Sequence, residues 1–179
     1  MSATGAVMTP EQASFLLSVL MPAVENEYEK TRRVLAAVPP GKCQYRPHPD
    51  SRSALELVWH IASCDLWFLD GFLLQKFEME DDTMPADFKD SSEILAWYED
   101  CFPGKLGEVK KLPPDLWATP LPFFGIYNHP AVMYLQFMIC HTVHHRGQLA
   151  AYLRPMGAKV PCIYGGSFDE PMQPPGEPE

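Results

Sequence analysis

The positions of the prolines constrain the fold of this chain more than any other feature of its sequence. Proline breaks helix interiors, because it lacks the backbone N–H and its ring clashes with the preceding turn. The chain has 19 prolines among 179 residues, yet they leave four proline-free windows, at residues 23–38, 50–84, 86–102 and 131–154. Each window can hold a helix of several turns, and the proline-rich segments between them predict loops.

Apolar residues recur at helical spacing in and around these windows and predict four helices. The predicted spans are about 10–37, 53–77, 91–111 and 128–154. Capping boxes begin the first two helices, Ser91 or Ser92 is the predicted N-cap of the third, and Asn128 or His129 that of the fourth. Pro22 is expected to kink or split the first helix.

The pattern predicts an all-α protein, specifically a four-helix bundle. No window alternates polar and apolar residues for long enough to indicate a strand, so no sheet is expected. We expect one domain over residues 1–168, followed by an acidic, proline-rich tail at 169–179. The connection at 78–90 spans at most about 43 Å when extended, against about 37 Å for the second helix. It can therefore return along the bundle or make a loose turn.

The formal net charge of −9 excludes some classes of partner. Without a block of basic residues there is no counterion-release driving force, so nucleic acid and anionic membranes are not expected as partners. The acidic residues concentrate at 78–93 and after Gly166, where we expect a solvated loop and a solvated tail. No apolar run approaches about 18 residues, so the sequence predicts no membrane span.

The five cysteines are widely spaced and include no Cys-x-x-Cys pair, so neither a disulfide framework nor an all-cysteine zinc site is predicted. Reduced thiols fit a cytoplasmic protein. The first ten residues, MSATGAVMTP, lack a basic segment and a long apolar segment, so we expect no signal peptide there.

Three of the six histidines cluster in the fourth predicted helix, within the segment HTVHHRGQ at 141–148. His141 and His145 are four residues apart and share one helix face, the spacing at which two imidazoles bind one metal ion. The stripe of apolar residues around them points this pair into the bundle. The pair His141 and His144, three residues apart, remains an alternative on spacing alone.

His60 is the candidate third ligand, because it lies in the apolar register of the second helix. It stands about 10 Å from the start of that helix, and the pair stands about 13–20 Å from the end of the fourth helix. The three side chains therefore meet at similar depth if the two helices are antiparallel. Three imidazoles with one open position form a catalytic zinc-type site.

The sequence also allows these residues to have other roles. A histidine such as His60 also occurs as a hydrogen-bonded core residue, and Cys64, one turn later, is by default a small buried hydrophobe although it could approach the same metal. Asp65 and Glu56 are not expected to be ligands. His48 and His129, beside prolines, are expected to be structural or exposed, like most histidines outside a metal-binding pattern.

With His60, the segments ICHTVHHRGQLAAYLR at 139–154 and GAKVPCIYG at 157–165 resemble the DinB superfamily of DinB/YfiT-like metalloenzymes over residues 10–168. The resemblance implies an up-down-down-up four-helix bundle, with the second helix antiparallel to the fourth. It implies nickel or zinc held by His60, His141 and His145, with His144 outside the ligand set, and a homodimer. Characterised relatives include S-transferases that use bacillithiol or mycothiol, and a mycothiol-dependent maleylpyruvate isomerase.

Such a site is compatible with three functions. The first two are enzymatic and act on a small-molecule substrate, and the third is not catalytic. The first is metal-dependent S-transfer with a low-molecular-weight thiol as co-substrate, and the second is metal-dependent hydrolysis, for which Asp65 and Glu56 are weak candidate bases. The third is a non-catalytic bundle stabilised by the metal. No residue is assigned a catalytic role. The site is expected to open between the loop at 112–128 and the segment 160–167. Aromatic walls are expected there from Trp59, Trp117, Phe123, Phe124, Tyr127 and Tyr164.

Overall fold

The computed structural model of the chain describes residues 8–79 and 81–172. Its helices are α1 (Pro10–Ala36), α2 (Ala54–Leu74), α3 (Ser91–Val109), α4 (Pro114–Ala118) and α5 (Met133–Leu153). Two strands, β1 (Pro120–Phe123) and β2 (Tyr127–Pro130), form one antiparallel hairpin between α4 and α5. The four long helices confirm the predicted all-α class, and the predicted fourth helix corresponds to α5.

Local capping determines where the helices begin. α1 and α2 begin with the predicted capping boxes. The N-cap of α3 is Asp90, so the prediction of Ser91 or Ser92 was wrong by one or two residues. The Asp90 carboxylate accepts hydrogen bonds from the backbone N–H groups of Ser92 and Glu93, and the Glu93 carboxylate accepts one from the backbone N–H of Asp90. A carboxylate at the positive end of the helix dipole is favoured there.

Prolines lie inside two of the long helices without ending them. α1 continues through Pro22, so the predicted split of this helix was wrong. α3 likewise continues through Pro103. Both prolines are exposed, so each lies on the side of its helix that meets water, where a carbonyl group without a helical partner can be hydrated. The cost of the lost hydrogen bond is smallest at such a position.

α2 is the central helix of the bundle, and 13 of its 21 residues are buried. It is long and apolar enough to cross a membrane, although no membrane span was predicted from the sequence. However, 61% of the apolar window is buried against other parts of the protein. The apolar character of α2 is therefore that of a core helix.

Side-chain contacts give the relative directions of the helices. Contacts between α2 and α3 run in the same order along both, from Trp59 stacked on Trp97 to Asp70 paired with Lys105. Contacts between α2 and α5 run in opposite order, because the first half of α2 meets the second half of α5. The connection between α2 and α3 thus returns along the bundle, which was one of its two predicted paths.

α1 runs opposite to α3, since Glu25 pairs with Lys110 and Arg32 pairs with Glu99. Taken with the directions of α2 and α5, this order of contacts is that of the up-down-down-up arrangement. α1 also packs along α5 through a buried ion pair between Glu27 and Arg146.

The segment 112–128 was predicted to be a loop, yet it contains α4 and most of the hairpin. β1 alternates exposed and buried residues, with Leu121 and Phe123 buried, but four residues are too few for a clear period. The prolines of β1 are tolerated because both strands of a two-stranded sheet are edge strands. β2 occupies residues predicted to start the fourth helix, so α5 begins later, at Met133.

The residues after α5 fold back onto the bundle. Asp169 accepts hydrogen bonds from Arg154 and from the backbone N–H of Val160, and Glu170 pairs with Arg33. The first residues of the predicted tail therefore contact the domain. Residues 1–7, which carry most of the signal-peptide expectation, and 173–179 lie outside the described residues.

Candidate metal centre

Side chains from α2 and α5 bring the three predicted ligands together. The Nε2 atom of His60 lies 3.1 Å from that of His141 and 3.2 Å from that of His145. All three ligand atoms lie within 4.8 Å of one another. The antiparallel contact between α2 and α5 produces this convergence, as the depth estimate from the sequence predicted.

Hydrogen bonds on the outer edges of two rings determine which nitrogen carries the proton. The Nδ1–H of His60 donates to the carboxylate of Asp82 over 2.6 Å, because an ionised carboxylate can only accept. The Nδ1–H of His145 donates to the amide oxygen of Gln148 over 2.9 Å. In both rings the Nε2 atom therefore presents a lone pair to the centre of the cluster.

Burial keeps these imidazoles neutral. Burial, and to a smaller extent the neighbouring histidines, together lower the pKa of His141 to about 3. Burial also lowers the pKa of His145 and that of His60, where the hydrogen bond to Asp82 acts in the opposite direction. Neutral imidazole is the form that coordinates a metal ion.

The donor set fits a divalent metal ion. The Nε2 lone pairs of His60 and His145 face each other at 3.2 Å with no proton to share. Two acceptors at this distance repel unless a cation lies between them, and three imidazole nitrogens are suited to zinc, nickel, copper or iron. Carboxylate and amide partners on the far ring nitrogens are typical of metal-binding histidines.

The other three histidines lie outside the cluster. His144 is exposed, and its Nε2 accepts a hydrogen bond from Gln148 instead. The His48 side chain is 67% exposed. His129 lies in β2, where its ring stacks on Tyr127. The side chains that face α2 are therefore His141 and His145, and not His141 and His144.

Cys64 lies beside the cluster but on its outer side. Its Sγ atom is 3.5 Å from the Nδ1 of His60, the nitrogen that faces Asp82 and not the one that faces the other histidines. Burial raises the pKa of this thiol to about 12. His60, Cys64 and Asp82 also lie close enough together to form a second possible metal-binding group.

The two carboxylates considered as bases are both engaged elsewhere. Asp65 is buried and accepts hydrogen bonds from Tyr98 and Thr142, and burial raises its pKa to about 6. Glu56 completes the capping box of α2 and contacts Arg46 at 3.4 Å. The carboxylate that does reach the cluster, Asp82, was interpreted from the sequence as part of a solvated acidic loop.

Two tryptophans of α2 hold the connection that carries Asp82. The indole N–H of Trp59 donates to the backbone oxygen of Asp82 over 2.9 Å, and that of Trp67 donates to the backbone oxygen of Glu78 over 3.0 Å. The side chain of Asp82 also accepts a hydrogen bond from Ser63. No pattern within residues 78–82 indicates these contacts, because they depend on where α2 places its indole groups.

A cavity of about 830 Å³ adjoins the cluster, and His141, Cys64 and Asp82 form part of its wall. Three tryptophans and four phenylalanines make up half of the remaining lining residues. These aromatic residues are Trp59, Trp67, Trp97, Phe68, Phe123, Phe124 and Phe137. We call this space the aromatic cavity. Its size and apolar lining are those of a small-molecule site.

The predicted walls were right for Trp59, Phe123 and Phe124 only. Trp117 is buried in the core against Phe72. The Tyr127 ring stacks on His129 at the hairpin, and the Tyr164 hydroxyl binds Glu27 and Arg146 on another side of α5. The segment 160–167, expected at the opening, does not line the cavity, and Met79, Asp81 and Asp82 take its place.

Comparison with known proteins agrees with this architecture. The sequence profile of the DinB family matches residues 13–177. A DinB-like protein of Bacillus cereus ATCC 10987 is 24% identical, with a TM-score of 0.69 over 81% of this chain and 95% of that chain. The DinB-like protein YjoA of Bacillus subtilis is 19% identical, with a TM-score of 0.62 over 86% of this chain and 99% of that chain.

At these identities the two structures show a shared fold. No curated protein sequence matches the chain. The family match includes α5 with its histidine segment, α2 with His60 and most of the predicted tail. The chain belongs to the DinB family.

Proposed function

We propose that this chain is a metal-dependent enzyme of the thiol S-transferase type. His60, His141 and His145 would hold a divalent ion, zinc or nickel, and a low-molecular-weight thiol would be the co-substrate. One observation carries the proposal: neutral imidazole nitrogens converge at the wall of a large aromatic cavity. A reactive centre and a space for a small molecule are thus adjacent.

The protein's own side chains prepare the centre. Asp82 and Gln148 hold the Nδ1 protons of two histidines, which keeps their Nε2 lone pairs free. A divalent ion held by these three histidines would supply the acidity that turns a coordinating thiol into a thiolate or lowers the pKa of a coordinating water. In S-transfer the thiol proton leaves to solvent, the sulfur forms a bond to an electrophilic carbon, and the leaving group departs with its electron pair.

Hydrolysis is the alternative reaction for the same centre. A free base beside the centre would help to take the proton from a coordinating water, but Asp65 and Glu56 are bound to other groups. Asp82 is occupied by His60 and Ser63. A divalent ion would deprotonate a coordinating thiol outright but would lower the pKa of a coordinating water only to about 7, so the lack of a free base favours S-transfer.

The first experiment measures metal content. The protein is purified without a nickel column, and bound metals are quantified by mass spectrometry in wild type and in His60→Ala, His141→Ala and His145→Ala. We expect near-stoichiometric metal in wild type and its loss in the three variants. His144→Ala is the matched control and should retain the metal, because His144 faces solvent. An equally low content in all five proteins would contradict the metal centre.

The second experiment separates the three functions on metal-replete protein. A panel of low-molecular-weight thiols is combined with an electrophilic acceptor, and the acceptor is also supplied without thiol. Turnover that needs the thiol supports S-transfer, whereas turnover without it supports hydrolysis. If chelation lowers the melting temperature and neither turnover occurs, the metal stabilises a non-catalytic bundle and the proposal is wrong.

A further inference from the structure

The aromatic cavity has features that the metal chemistry does not explain, and they indicate what it binds. We propose that it binds an aromatic molecule that carries no negative charge. The claim that this molecule is the acceptor in S-transfer rests on the function proposed above. The claim that the cavity binds it does not depend on that function. Three independent observations support the inference: a strained phenylalanine, two tryptophans whose indole N–H groups are already hydrogen-bonded, and the charge of the wall.

Phe124 stands at the tip of the hairpin in a conformation that bulky residues avoid. Its φ is 53°, that of Gly125 is 69°, and the backbone N–H of Ile126 donates to the oxygen of Phe123 to close the turn. Glycine, asparagine and aspartate are the residues that suit such a turn. A phenylalanine there destabilises the backbone relative to glycine.

The ring of Phe124 is placed where a ligand would meet it. It stacks on Trp67 with a centroid distance of 5.6 Å and an interplanar angle of 22°, and it lines the cavity. The residue is nevertheless 40% exposed, so it gains less from burial than a core residue does. Backbone strain of this kind concentrates at ligand-binding positions. The ring is therefore a candidate wall for an aromatic ligand.

The tryptophans of the cavity offer ring faces and few hydrogen-bond donors. The indole N–H groups of Trp59 and Trp67 already donate to backbone oxygens of Asp82 and Glu78. Trp59 is also stacked on Trp97, with centroids 5.1 Å apart. A sugar-like ligand needs several polar partners, whereas an aromatic ligand gains from stacking on such faces.

The charged groups in the wall are acidic. Asp70, Asp81 and Asp82 line the cavity, and no lysine or arginine lines it among the residues that the structure describes. Lys105 pairs with Asp70 and Arg52 with Asp82, while Asp81 has no cationic partner within the described ranges. A carboxylate on the ligand would meet this negative wall, so neutral and cationic aromatic molecules are favoured.

Three naphthalene probes of equal size test the inference: naphthylmethanol, naphthylmethylammonium and naphthoate. Binding is measured by calorimetry on metal-free and on metal-loaded protein. On the metal-free protein we expect the neutral and cationic probes to bind, and naphthoate to bind at least about tenfold more weakly. Equal or tighter binding of naphthoate there, or no binding of any probe, would overturn the inference.

A variant that is expected to keep the fold intact tests whether the probe binds at Phe124. Phe124→Gly relieves the backbone strain, so we expect an unchanged or higher melting temperature together with about tenfold weaker binding of the neutral probe. Ile126→Ala is the matched control in the same turn, because Ile126 is 73% exposed and does not line the cavity. Unchanged binding in Phe124→Gly would overturn the assignment of the site.

Asp81→Asn tests the charge, since it removes one negative charge from the wall without touching the histidines. The difference in affinity between naphthylmethanol and naphthoate should narrow severalfold. An unchanged difference contradicts the charge argument.

The binding assays test the inference on the cavity, and the thiol panel tests S-transfer, so either one can be contradicted without the other. If the neutral probe binds but no thiol is transferred to a naphthylmethyl electrophile or any other acceptor, the inference on the cavity stands and S-transfer is wrong. If thiol transfer occurs only with anionic acceptors, S-transfer stands and the inference on the cavity is wrong.

Discussion

Replacing Asp82 tests whether the acidic connection controls the metal centre. Its carboxylate holds the Nδ1 proton of His60 over 2.6 Å, which leaves the Nε2 lone pair free for the metal. Asp82→Asn keeps an oxygen that can accept this proton but removes the charge. Asp82→Ala removes both, so that His60 can rotate or adopt the other tautomer.

Loss of a partner that orients a metal ligand weakens metal binding by about 10–100-fold. The Asp82 side chain is 36% exposed and also pairs with Arg52, so solvent and the arginine already weaken its charge. We therefore expect Asp82→Asn to weaken metal binding about tenfold, or by about 1.4 kcal/mol. Asp82→Ala should approach about 100-fold.

Metal affinity is measured for zinc and for nickel by competition with a chromogenic chelator at constant pH and ionic strength. Asp81→Asn is the matched control, because it makes the same change of charge at the adjacent position. Asp81 does not contact His60, and its side chain accepts hydrogen bonds from Thr83. We expect it to weaken metal binding much less than Asp82→Asn does.

Two results would refute this reasoning. Equal weakening in Asp81→Asn and Asp82→Asn would show that only the overall charge of the connection matters. Unchanged affinity in Asp82→Ala would show that the hydrogen bond to His60 does not prepare the ligand.

Three further predictions concern the bundle around the site. Gly71→Ala should lower the free energy of unfolding, because the new methyl group would overlap the buried ring of Phe77. Overpacking of this kind costs about 1–3 kcal/mol, against a gain in helix propensity of up to about 1 kcal/mol. The pKa of Asp65 is about 6 in the folded protein and about 3.9 when unfolded. The folded state therefore binds the proton more tightly, so this residue's contribution to stability falls as the pH rises from about 4 to about 6. Asp65→Asn should remove that component, seen as a flatter pH profile of urea midpoints relative to wild type. Glu27→Ala should destabilise the protein by about 3–5 kcal/mol in urea, because it leaves the buried guanidinium of Arg146 without its carboxylate. The double variant Glu27→Ala/Arg146→Met should recover much of this lost stability. If its loss equalled the sum of the losses in the two single variants, the two side chains would not be coupled.

Much of the fold and part of the site could be predicted from local sequence. The proline-free windows and the capping boxes predicted the long helices, because helix formation depends on neighbouring residues and on apolar spacing. The spacing of His141 and His145 placed both on one helix face for the same reason. The depth of His60 in α2 then predicted that it lies opposite them.

Features that depend on contacts between distant residues could not be predicted. β1 and β2 are four residues each, too short for a period to appear, and they pair only because the chain turns at Phe124. Asp82 looks like any other acid in a charged connection. It becomes a partner of His60 because two indole groups of α2 hold that connection against the helix.

By itself, then, the sequence determined the helices, the family and the three histidines, since each depends on residues close together in the chain or on one helix face. Only the tertiary structure decided which ring nitrogens are free, which carboxylate supports them, and which aromatic side chains enclose the aromatic cavity. Those properties are set by distances of about 3 Å between segments far apart in sequence, where hydrogen bonds form or fail. Local propensity does not determine such distances.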